Sequence, residues 1–305
     1  MRAVLLGTKG GPRLLADRCG PGQLIEQTGH TVLVDAGEGV VQQIVRSGRS
    51  LADLDAVFIT HHHCDHNVAL GNVLMGYWVS GGSRPLTVYG PPPLDRVVER
   101  ILAAHEYDIT TRVADEGRVD LRELVRVRTL GDSGDSGASR VETGPLTVTA
   151  VPVSHPPVHA LGYRFTGTAR GSSIVVSGDT APCRSLVELA HGAELLIHEV
   201  LHPDFIRPAA SNTRWADLER HLLTSHTSVY ELGAVAAAAG VGTLVMTHFV
   251  PATGVEPRRW LEPVQERFGG RVLLGHDLMH IDTHSVNTHN VNTHNEVEEP
   301  HENHH

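Results

Sequence analysis

The chain has 305 residues, of which 40% are hydrophobic and 4% aromatic, and its formal net charge is -10. The apolar share is enough for one large globular core. The acidic balance argues against a nucleic-acid surface, because phosphate binding relies on clustered lysine and arginine, so we expect a small-molecule substrate and no nucleic-acid partner.

Short β-rich runs alternate with helical patterns along the first 280 residues. In chain order the predicted strands are AVLLG, GQLIEQ, TVLVDA, DAVFIT, LTVYG, LVRVRTL, LTVTAVPV, ALGYRF, SIVVSG, ELLIHEV, TLVMTHF and RVLLG. Helices are predicted to begin near Glu38, Asn67, Leu94, Arg184, Ser228 and Pro257. Early hairpin-like strands followed by strand–helix alternation favour a pair of mixed sheets with helices packed outside them.

One apolar stretch, Leu232 to Val250, has no Lys, Arg, Asp or Glu and approaches the length of a membrane span. Gly240 and Gly242 divide it, so it is predicted to be a buried helix followed by a strand. The three cysteines are too few for a disulfide framework, and no signal-peptide pattern opens the chain. We therefore expect a cytoplasmic protein without a membrane span, which forms a homo- or hetero-oligomer.

The residues from 283 to 305 differ in composition from the rest of the chain. They contain six histidines, four glutamates and the repeat VNTHN, with almost no apolar side chains, so they predict a disordered tail. Metal binding by the tail histidines is the alternative interpretation. Residues 1–282 are predicted to form one domain, in which GDSGDSGAS (131–139) is a surface loop.

A cluster of metal-ligand residues follows the predicted strand DAVFIT. His61 and His63 are two positions apart and can point the same way in extended backbone, as ligands of one ion. Asp65 and His66 come where the chain turns into the next helix, and they can face a second ion. Histidine and carboxylate together are a ligand set of zinc, and chance rarely supplies them in this order.

Three more ligand-type residues each follow an apolar strand: His155, Asp179 and His248. A carboxylate can bridge two cations, which makes Asp179 the natural shared ligand. His62 and Cys64 lie between the ligand positions and are expected to point away from them. The set predicts two divalent ions, most simply zinc, although manganese or iron also accepts these ligands.

The chain resembles the metallo-β-lactamase superfamily, and within it the branch that holds ribonuclease Z and arylsulfatase-like or phosphodiesterase-like hydrolases. The resemblance rests on LLGTKGGP, LVDAGEG, FITHHHCDH, VSH, SGDTAPC, LLIHE, SHTS and MTHF, which occur in the family order. It implies an α/β fold, an αββα sandwich with a dinuclear metal site at the sheet ends. It assigns one metal to His61, His63 and His155 and the other to Asp65, His66 and His248, with Asp179 between them.

LLIHE and SHTS further resemble paired motifs in which a glutamate orients a histidine that assists the leaving group. Here these residues are Glu199 and His226. A carboxylate beside an imidazole fixes its tautomer and raises its basicity. The plainer alternative is a buried structural carboxylate and a histidine at a helix N-terminus. By the same resemblance, Asp35 holds a loop and has no direct role.

The predicted reaction is hydrolysis by a hydroxide held between the two cations. Asp65 would orient the water or accept its proton, and His226 would donate a proton to the departing oxygen. The stretches GTKGGP, VYGPPP and YWVSGG favour the arylsulfatase-like side, so we expect a small-molecule phosphodiester, sulfate ester or activated aryl ether.

Two alternatives stay open: a tRNA 3′-processing endonuclease of the ribonuclease Z type, and an auxiliary metal-binding subunit of a hydrolase complex. The charge and the few aromatic residues argue against the ribonuclease. The common bacterial ribonuclease Z has a tRNA-gripping arm between the residues that correspond to His155 and Asp179. The interval between these residues is too short here to contain such an arm. The complete ligand set argues against the auxiliary subunit.

Overall fold

The computed structural model describes residues 1–131, 137–168, 172–208 and 214–283. Most of the predicted glycine–serine loop (132–136) and nearly all of the predicted tail (284–305) lie outside these ranges. The disordered tail and the domain boundary before it therefore stay predictions.

Fourteen strands and ten α-helices lie in the described residues. The strands are β1 (Arg2–Gly7), β2 (Gly22–Gln27), β3 (His30–Val34), β4 (Leu54–Phe58), β5 (Leu86–Gly90), β6 (Val125–Thr129), β7 (Ser139–Thr143), β8 (Leu146–Val153), β9 (Ala160–Thr166), β10 (Ser173–Val176), β11 (Leu195–Leu201), β12 (Thr243–Val250), β13 (Arg271–Leu274) and β14 (Met279–Asp282). The helices are α1 (Val40–Arg46), α2 (Cys64–Asn67), α3 (Leu70–Val79), α4 (Leu94–Ala104), α5 (Glu106–Glu116), α6 (Leu121–Leu124), α7 (Arg184–Ala190), α8 (Trp215–Ser225), α9 (Val229–Ala239) and α10 (Pro257–Gln265).

The strands form two seven-stranded mixed sheets, in the orders β14-β1-β2-β3-β4-β5-β6 and β13-β12-β11-β10-β9-β8-β7. In the first sheet the pairs from β14 to β3 are antiparallel and those from β3 to β6 are parallel. The second sheet repeats this plan, antiparallel from β7 to β10 and parallel from β10 to β13. Both sheets therefore change from antiparallel to parallel pairing near their middle.

The alternation of side chains along the strands produces four layers. In β1, Ala3 and Leu5 pack in the core between the two sheets, whereas Val4 and Leu6 pack against the helices on the outer face. Successive side chains of a strand point to opposite faces, so a strand buried on both sides reads as a continuous apolar run. A third core lies between the second sheet and the helices α7, α9 and α10. The predicted αββα sandwich is confirmed.

The apolar stretch from Leu232 to Val250, which is nearly as long as a membrane span, forms a buried helix and a strand, as predicted. The hydroxyl of Ser228 accepts a hydrogen bond from the amide of Tyr230 and caps α9, and Gly240 ends that helix with φ +62°. The chain then enters β12. In the described part of the chain, no helix is both long and apolar enough to cross a membrane.

The twelve predicted strands are all present, and two further strands, β7 and β14, were not predicted. Helices α5, α6 and α8 are also absent from the prediction. The strands that end near the candidate ligands come from both sheets: β4 precedes the histidine motif, whereas β8 and β10 precede His155 and Asp179. The fold therefore gathers residues that are far apart in the sequence at one edge of the sandwich.

Candidate metal centre and active site

A buried carboxylate shapes the loop that follows β4. Asp35 accepts hydrogen bonds from the backbone amide and the hydroxyl of Thr60, at 2.7 and 2.8 Å, and from Nδ1 of His66 at 2.8 Å. The backbone of Asp35 is in the left-handed region, with φ 60°. Such strain persists where the surrounding structure enforces it, which is common at functional sites. Asp35 holds the loop, as its motif implied.

Three imidazoles converge at the mouth of this loop. The Thr60 hydroxyl donates its proton to Asp35, so it accepts the hydrogen bond from Nδ1 of His61 at 3.1 Å. Nδ1 of His155 donates to the carbonyl of Ser225 at 2.8 Å. In the neutral form each of these rings then presents a bare Nε2, and both point at Nδ1 of His63, at 3.1 and 3.2 Å.

This arrangement fits a divalent metal ion. Two nitrogens bound to one zinc at about 2.0–2.1 Å lie about 3.4 Å apart in a tetrahedral site, close to the separations observed here. Burial lowers the pKa of His155 to about 4 and that of His61 well below its usual value, which keeps the rings in the neutral form that binds metals. His61, His63 and His155 could therefore hold one ion.

A second group contains Asp65, His66 and His248. Nδ1 of His66 donates to Asp35, so Nε2 is bare in the neutral ring, and it faces Nε2 of His248 at 3.2 Å. Burial lowers the pKa of His66, but Asp179, Asp35 and Asp65 outweigh it and raise that pKa well above its usual value, so a cation that binds Nε2 would displace a proton. Nε2 of His248 also lies 3.5 Å from an oxygen of Asp65. Burial opposes ionisation of Asp65, but His66 and His248 outweigh it and hold the pKa of this carboxyl well below its usual range. These three residues could hold another ion.

His248 is directed into the group by an irregularity in β12. The pairing of β11 with β12 shifts register between Glu199 and Val200, so that Thr247 and Phe249 are paired and His248 is not. Its φ of 46° is left-handed. β-Bulges occur beside active sites because the extra residue redirects a side chain.

Asp179 lies between the two groups. One of its oxygens is 3.9 Å from Nε2 of His61 and 3.3 Å from Nε2 of His248, and the other is 3.3 Å from Nε2 of His66. The latter oxygen is buried and makes no hydrogen bond within the described residues. A buried carboxylate with an open coordination position, surrounded by imidazole nitrogens, suits a cation shared by both groups.

The turn that carries Asp179 requires a glycine. Gly178 has φ +62°, and a Cβ there would lie 2.8 Å from the carbonyl oxygen of Leu161. A residue with a side chain would be strained by its backbone and would also collide with the main chain of β9. The close approach fixes where the following carboxylate emerges.

Glu199 and His226 form a hydrogen-bonded pair beside the cluster. Oε1 of Glu199 is 3.1 Å from Nδ1 of His226 and also accepts the backbone amides of Thr180 and Thr227. Burial lowers the pKa of His226, but Glu199, with a smaller contribution from Asp179, outweighs it and raises the pKa to about 9. Nδ1 of His226 is hydrogen-bonded to the Glu199 carboxylate, so the proton on Nε2 is the one available to a ligand.

The structure therefore brings all of the predicted site residues together at one edge. His62 and Cys64 point elsewhere, as expected: Nε2 of His62 donates to the carbonyl of Pro91 at 2.9 Å, and Cys64 is exposed. From the sequence, His221 of α8 could line the pocket, but an ordinary packing or surface histidine was the favoured interpretation. Its ring lies 5.4 Å from that of His155 and 6.0 Å from that of His226, between ring centroids.

Two cavities help to place the site. One of about 670 Å³ lies at the opposite end of the strands, where the arginines Arg2, Arg49 and Arg84 are paired with carboxylates. Another, of about 340 Å³, opens beside His155 and is lined mainly by apolar residues. Only the second adjoins the histidine and carboxylate cluster.

The chain belongs to the beta-lactamase superfamily, since a sequence model of that superfamily's domain matches residues 30–249. It is a metal-dependent hydrolase. Its fold is similar to that of the metallo-beta-lactamase fold protein YhfI from Bacillus subtilis, with a TM-score of 0.67 and 21% identity, over 92% of this chain and 99% of that one. It is also similar to human tRNase Z, short form, with a TM-score of 0.68 and 21% identity, over 93% and 99%.

Curated relatives are considerably closer in sequence. Ribonuclease Z of Mycobacterium bovis (strain BCG / Pasteur 1173P2) is 36% identical over 291 residues, which cover 93% of this chain and 99% of that protein. Ribonuclease Z of Mycobacterium marinum (strain ATCC BAA-535 / M) is 38% identical over 288 residues, which cover 92% and 98%. These proteins favour the ribonuclease alternative over the small-molecule ester hydrolase, and they give no support to an arylsulfatase-like assignment.

The expectation of a small-molecule substrate without a nucleic-acid partner is therefore wrong. Net charge is a sum over the whole chain and says nothing about any one surface. Four of the glutamates that contribute to it lie in residues 296–302. The net charge omits the divalent cations of the site, which are the largest local charges that a phosphate would meet. The lack of a tRNA-gripping arm between His155 and Asp179 was also a poor argument against the ribonuclease. The alignment with the M. bovis ribonuclease Z is nearly complete over both chains and leaves no room for a long insertion in that enzyme.

Proposed function

We propose that the protein is a tRNA 3′-processing endonuclease of the ribonuclease Z type. The observation that carries the proposal is the similarity to ribonucleases Z over nearly the whole length of both chains. The geometry supports it, because a histidine held by a glutamate lies beside a cluster that suits divalent cations. Hydrolysis of a phosphodiester needs both features: charge neutralisation at the phosphate and a proton for the departing oxygen.

We propose that two divalent ions, most simply zinc, bind in the cluster. One would be held by His61, His63 and His155, the other by Asp65, His66 and His248, and Asp179 would be shared. When bound, such ions activate a water at neutral pH and offset the negative charge of the phosphate. Manganese or iron would also accept these nitrogen and oxygen ligands.

The remaining chemistry belongs to side chains of this protein. His226 is the proton donor: its pKa of about 9 keeps it protonated at neutral pH, and Glu199 fixes its tautomer so that Nε2–H is free. Asp65 stays ionised, and we propose that it orients the attacking water. The bond from phosphorus to the leaving oxygen breaks as that oxygen takes the proton of His226.

The test is a cleavage assay with the metal-loaded protein and a precursor tRNA that carries a 3′ extension. We expect one cut at the 3′ end of the mature tRNA. His226→Ala should slow this cut by about a hundredfold to ten-thousandfold, the range for general acid catalysis, while metal content is retained. The control His191→Ala changes an exposed histidine that lies on the turn before β11, at the end of that strand far from Glu199.

A second substrate, bis(4-nitrophenyl) phosphate, distinguishes the ways in which the proposal can fail. Its good leaving group depends little on a proton donor, so the metal site alone should hydrolyse it. Turnover of this ester without cleavage of the precursor tRNA would overturn the ribonuclease proposal and leave the metal site standing. Loss of metal from His226→Ala would overturn the role of proton donor.

A further inference from the structure

His221 lies beside the cluster, in the C-terminal half of α8 (Trp215–Ser225), which ends just before the proposed proton donor. It is half-buried, and one of its ring nitrogens lies within 4.8 Å of ring nitrogens of both His155 and His226. Neither the motifs nor the proposed mechanism uses it. A half-buried histidine this close to the proposed proton donor is positioned to contact a substrate bound there.

Hydrogen bonds indicate which nitrogen of His221 is available to a ligand. The hydroxyl of Ser225 donates to the carbonyl of Pro156 at 2.9 Å, so it accepts at its oxygen from Nδ1 of His221 at 3.3 Å. The proton of the neutral ring is thereby placed on Nδ1, and Nε2 carries a bare lone pair. His221 is thus an acceptor beside His226, which is a donor.

A hydrogen-bond acceptor beside a donor matches two adjacent oxygens of a sugar, one of which donates a hydroxyl proton while the other accepts a proton. In RNA the 2′-hydroxyl is the neighbour of the 3′ oxygen, and it is the group by which a protein distinguishes RNA from DNA. The 5′ oxygen has no neighbouring hydroxyl. We propose that His221 is a specificity-determining residue, which accepts a hydrogen bond from the 2′-hydroxyl of the ribose whose 3′ oxygen is protonated by His226.

This inference rests on the proposed ribonuclease function, and it concerns only the role of His221 in that reaction. Water adds to phosphorus, the bond between phosphorus and the 3′ oxygen breaks, and that oxygen receives the proton of His226. The products are a 3′-hydroxyl on one fragment and a 5′-phosphate on the other. His221 transfers no proton, and it holds the ribose so that the 3′ oxygen lies at Nε2 of His226.

The experiment compares two precursor tRNAs in the metal-loaded protein. One is all ribonucleotide, and the other has a single 2′-deoxynucleotide on the 5′ side of the scissile phosphate. We expect the parent protein to cleave the ribonucleotide substrate about tenfold faster or more, the effect of one buried hydrogen bond with an otherwise unpaired acceptor. His221→Ala should slow cleavage of the ribonucleotide substrate and bring the ratio of the two rates close to one.

Two further variants make the comparison specific. His221→Gln offers a carbonyl oxygen as acceptor and should restore part of the preference for the ribonucleotide. The control His191→Ala should keep the full ratio. Metal content of each variant, measured by mass spectrometry, should stay at the parental value.

The outcomes separate the two proposals. If the parent cleaves both substrates at one rate, the ribonuclease proposal stands and the role of His221 is overturned. A His221→Ala variant that is slowed equally on both substrates, or that loses metal, also overturns it, because such an effect belongs to a structural residue or a ligand. A parent that cleaves neither substrate overturns both proposals.

Discussion

The carboxylate of Asp35 accepts the Nδ1 proton of His66 across 2.8 Å, and this contact selects the neutral tautomer in which Nε2, the nitrogen that faces His248, is the free ligand atom. Asp35 itself is outside the group of candidate ligands. Its effect is on the tautomer of a residue inside that group, which is how outer carboxylates tune metal-binding histidines.

Asp35→Asn should therefore weaken metal binding without unfolding the protein. Asparagine tolerates the left-handed backbone at this position, but its NH₂ group facing Nδ1 would move the His66 proton to Nε2, where it blocks the ligand position. We expect a loss of metal affinity of about 10–100-fold, measured by competition with a chelator.

The matched control is Asp55→Asn, at the opposite end of β4. Asp55 also pairs with a histidine, His30, at 3.1 Å, and accepts the amide of Thr31. This variant should lower thermal stability and leave metal affinity as in the parent. Equal metal affinity in the Asp35 and Asp55 variants would contradict the tautomer argument.

The pairing of Glu199 with His226 predicts the alkaline limb of the activity profile. His226 donates a proton, so activity should fall as the pH rises through its pKa of about 9. In Glu199→Gln the anion that raises this pKa is lost, so the limb should move to lower pH, because the ring deprotonates earlier. The measurement is kcat against pH on the precursor tRNA.

Glu188→Gln serves as the control for this shift, since Glu188 is exposed on α7 and pairs with Arg184. Its alkaline limb should coincide with that of the parent. A limb that stays in place in Glu199→Gln would show that another group titrates there.

Gly178→Ala should destabilise the fold and impair metal binding together. The left-handed backbone costs an L-residue about 1–2 kcal/mol, and the Cβ would also collide with the carbonyl of Leu161. Gly240→Ala is matched in backbone, with the same φ of +62°, but its Cβ would meet open space. We expect Gly240→Ala to lower the melting temperature, measured by calorimetry, and to retain full metal content, measured by mass spectrometry.

A chain that ends at Thr283 should bind about two divalent ions. Thr283 is kept because it accepts a hydrogen bond from the N-terminal amine of Met1. The shortened chain removes six histidines that could bind metal independently. Mass spectrometry of the purified protein gives the stoichiometry, and a folded protein with none would overturn the assignment of the cluster.

The sequence was most informative where strands are buried and ligands follow them. A strand such as DAVFIT is apolar on both faces, so its end is easily recognised, and the polar residues beyond it must lie at a sheet edge. Strands β7 and β14 were not predicted, because exposed residues interrupt the apolar pattern of their sequences, SRVET and MHID. His221 was not assigned a role because α8 was not predicted, and a histidine five positions before His226 has no sequence signature of its own, so ordinary packing or surface exposure was the favoured interpretation.

The substrate class was the largest error. Composition reports the charge of side chains, but phosphate recognition at this site would depend on cations that the sequence does not encode directly. The motifs identified the family, and only comparison with relatives of similar length corrected the choice within it.

The candidate ligands come from both sheets: His61, His63, Asp65 and His66 follow β4 of the first, whereas His155, Asp179 and His248 belong to the second. Ions bound among them would tie the two halves of the sandwich together, as a disulfide might in an oxidising compartment. The three cysteines of this chain are free and form no such link in the structure. The melting temperature should therefore rise with the concentration of free metal, because only the assembled sandwich can bind it.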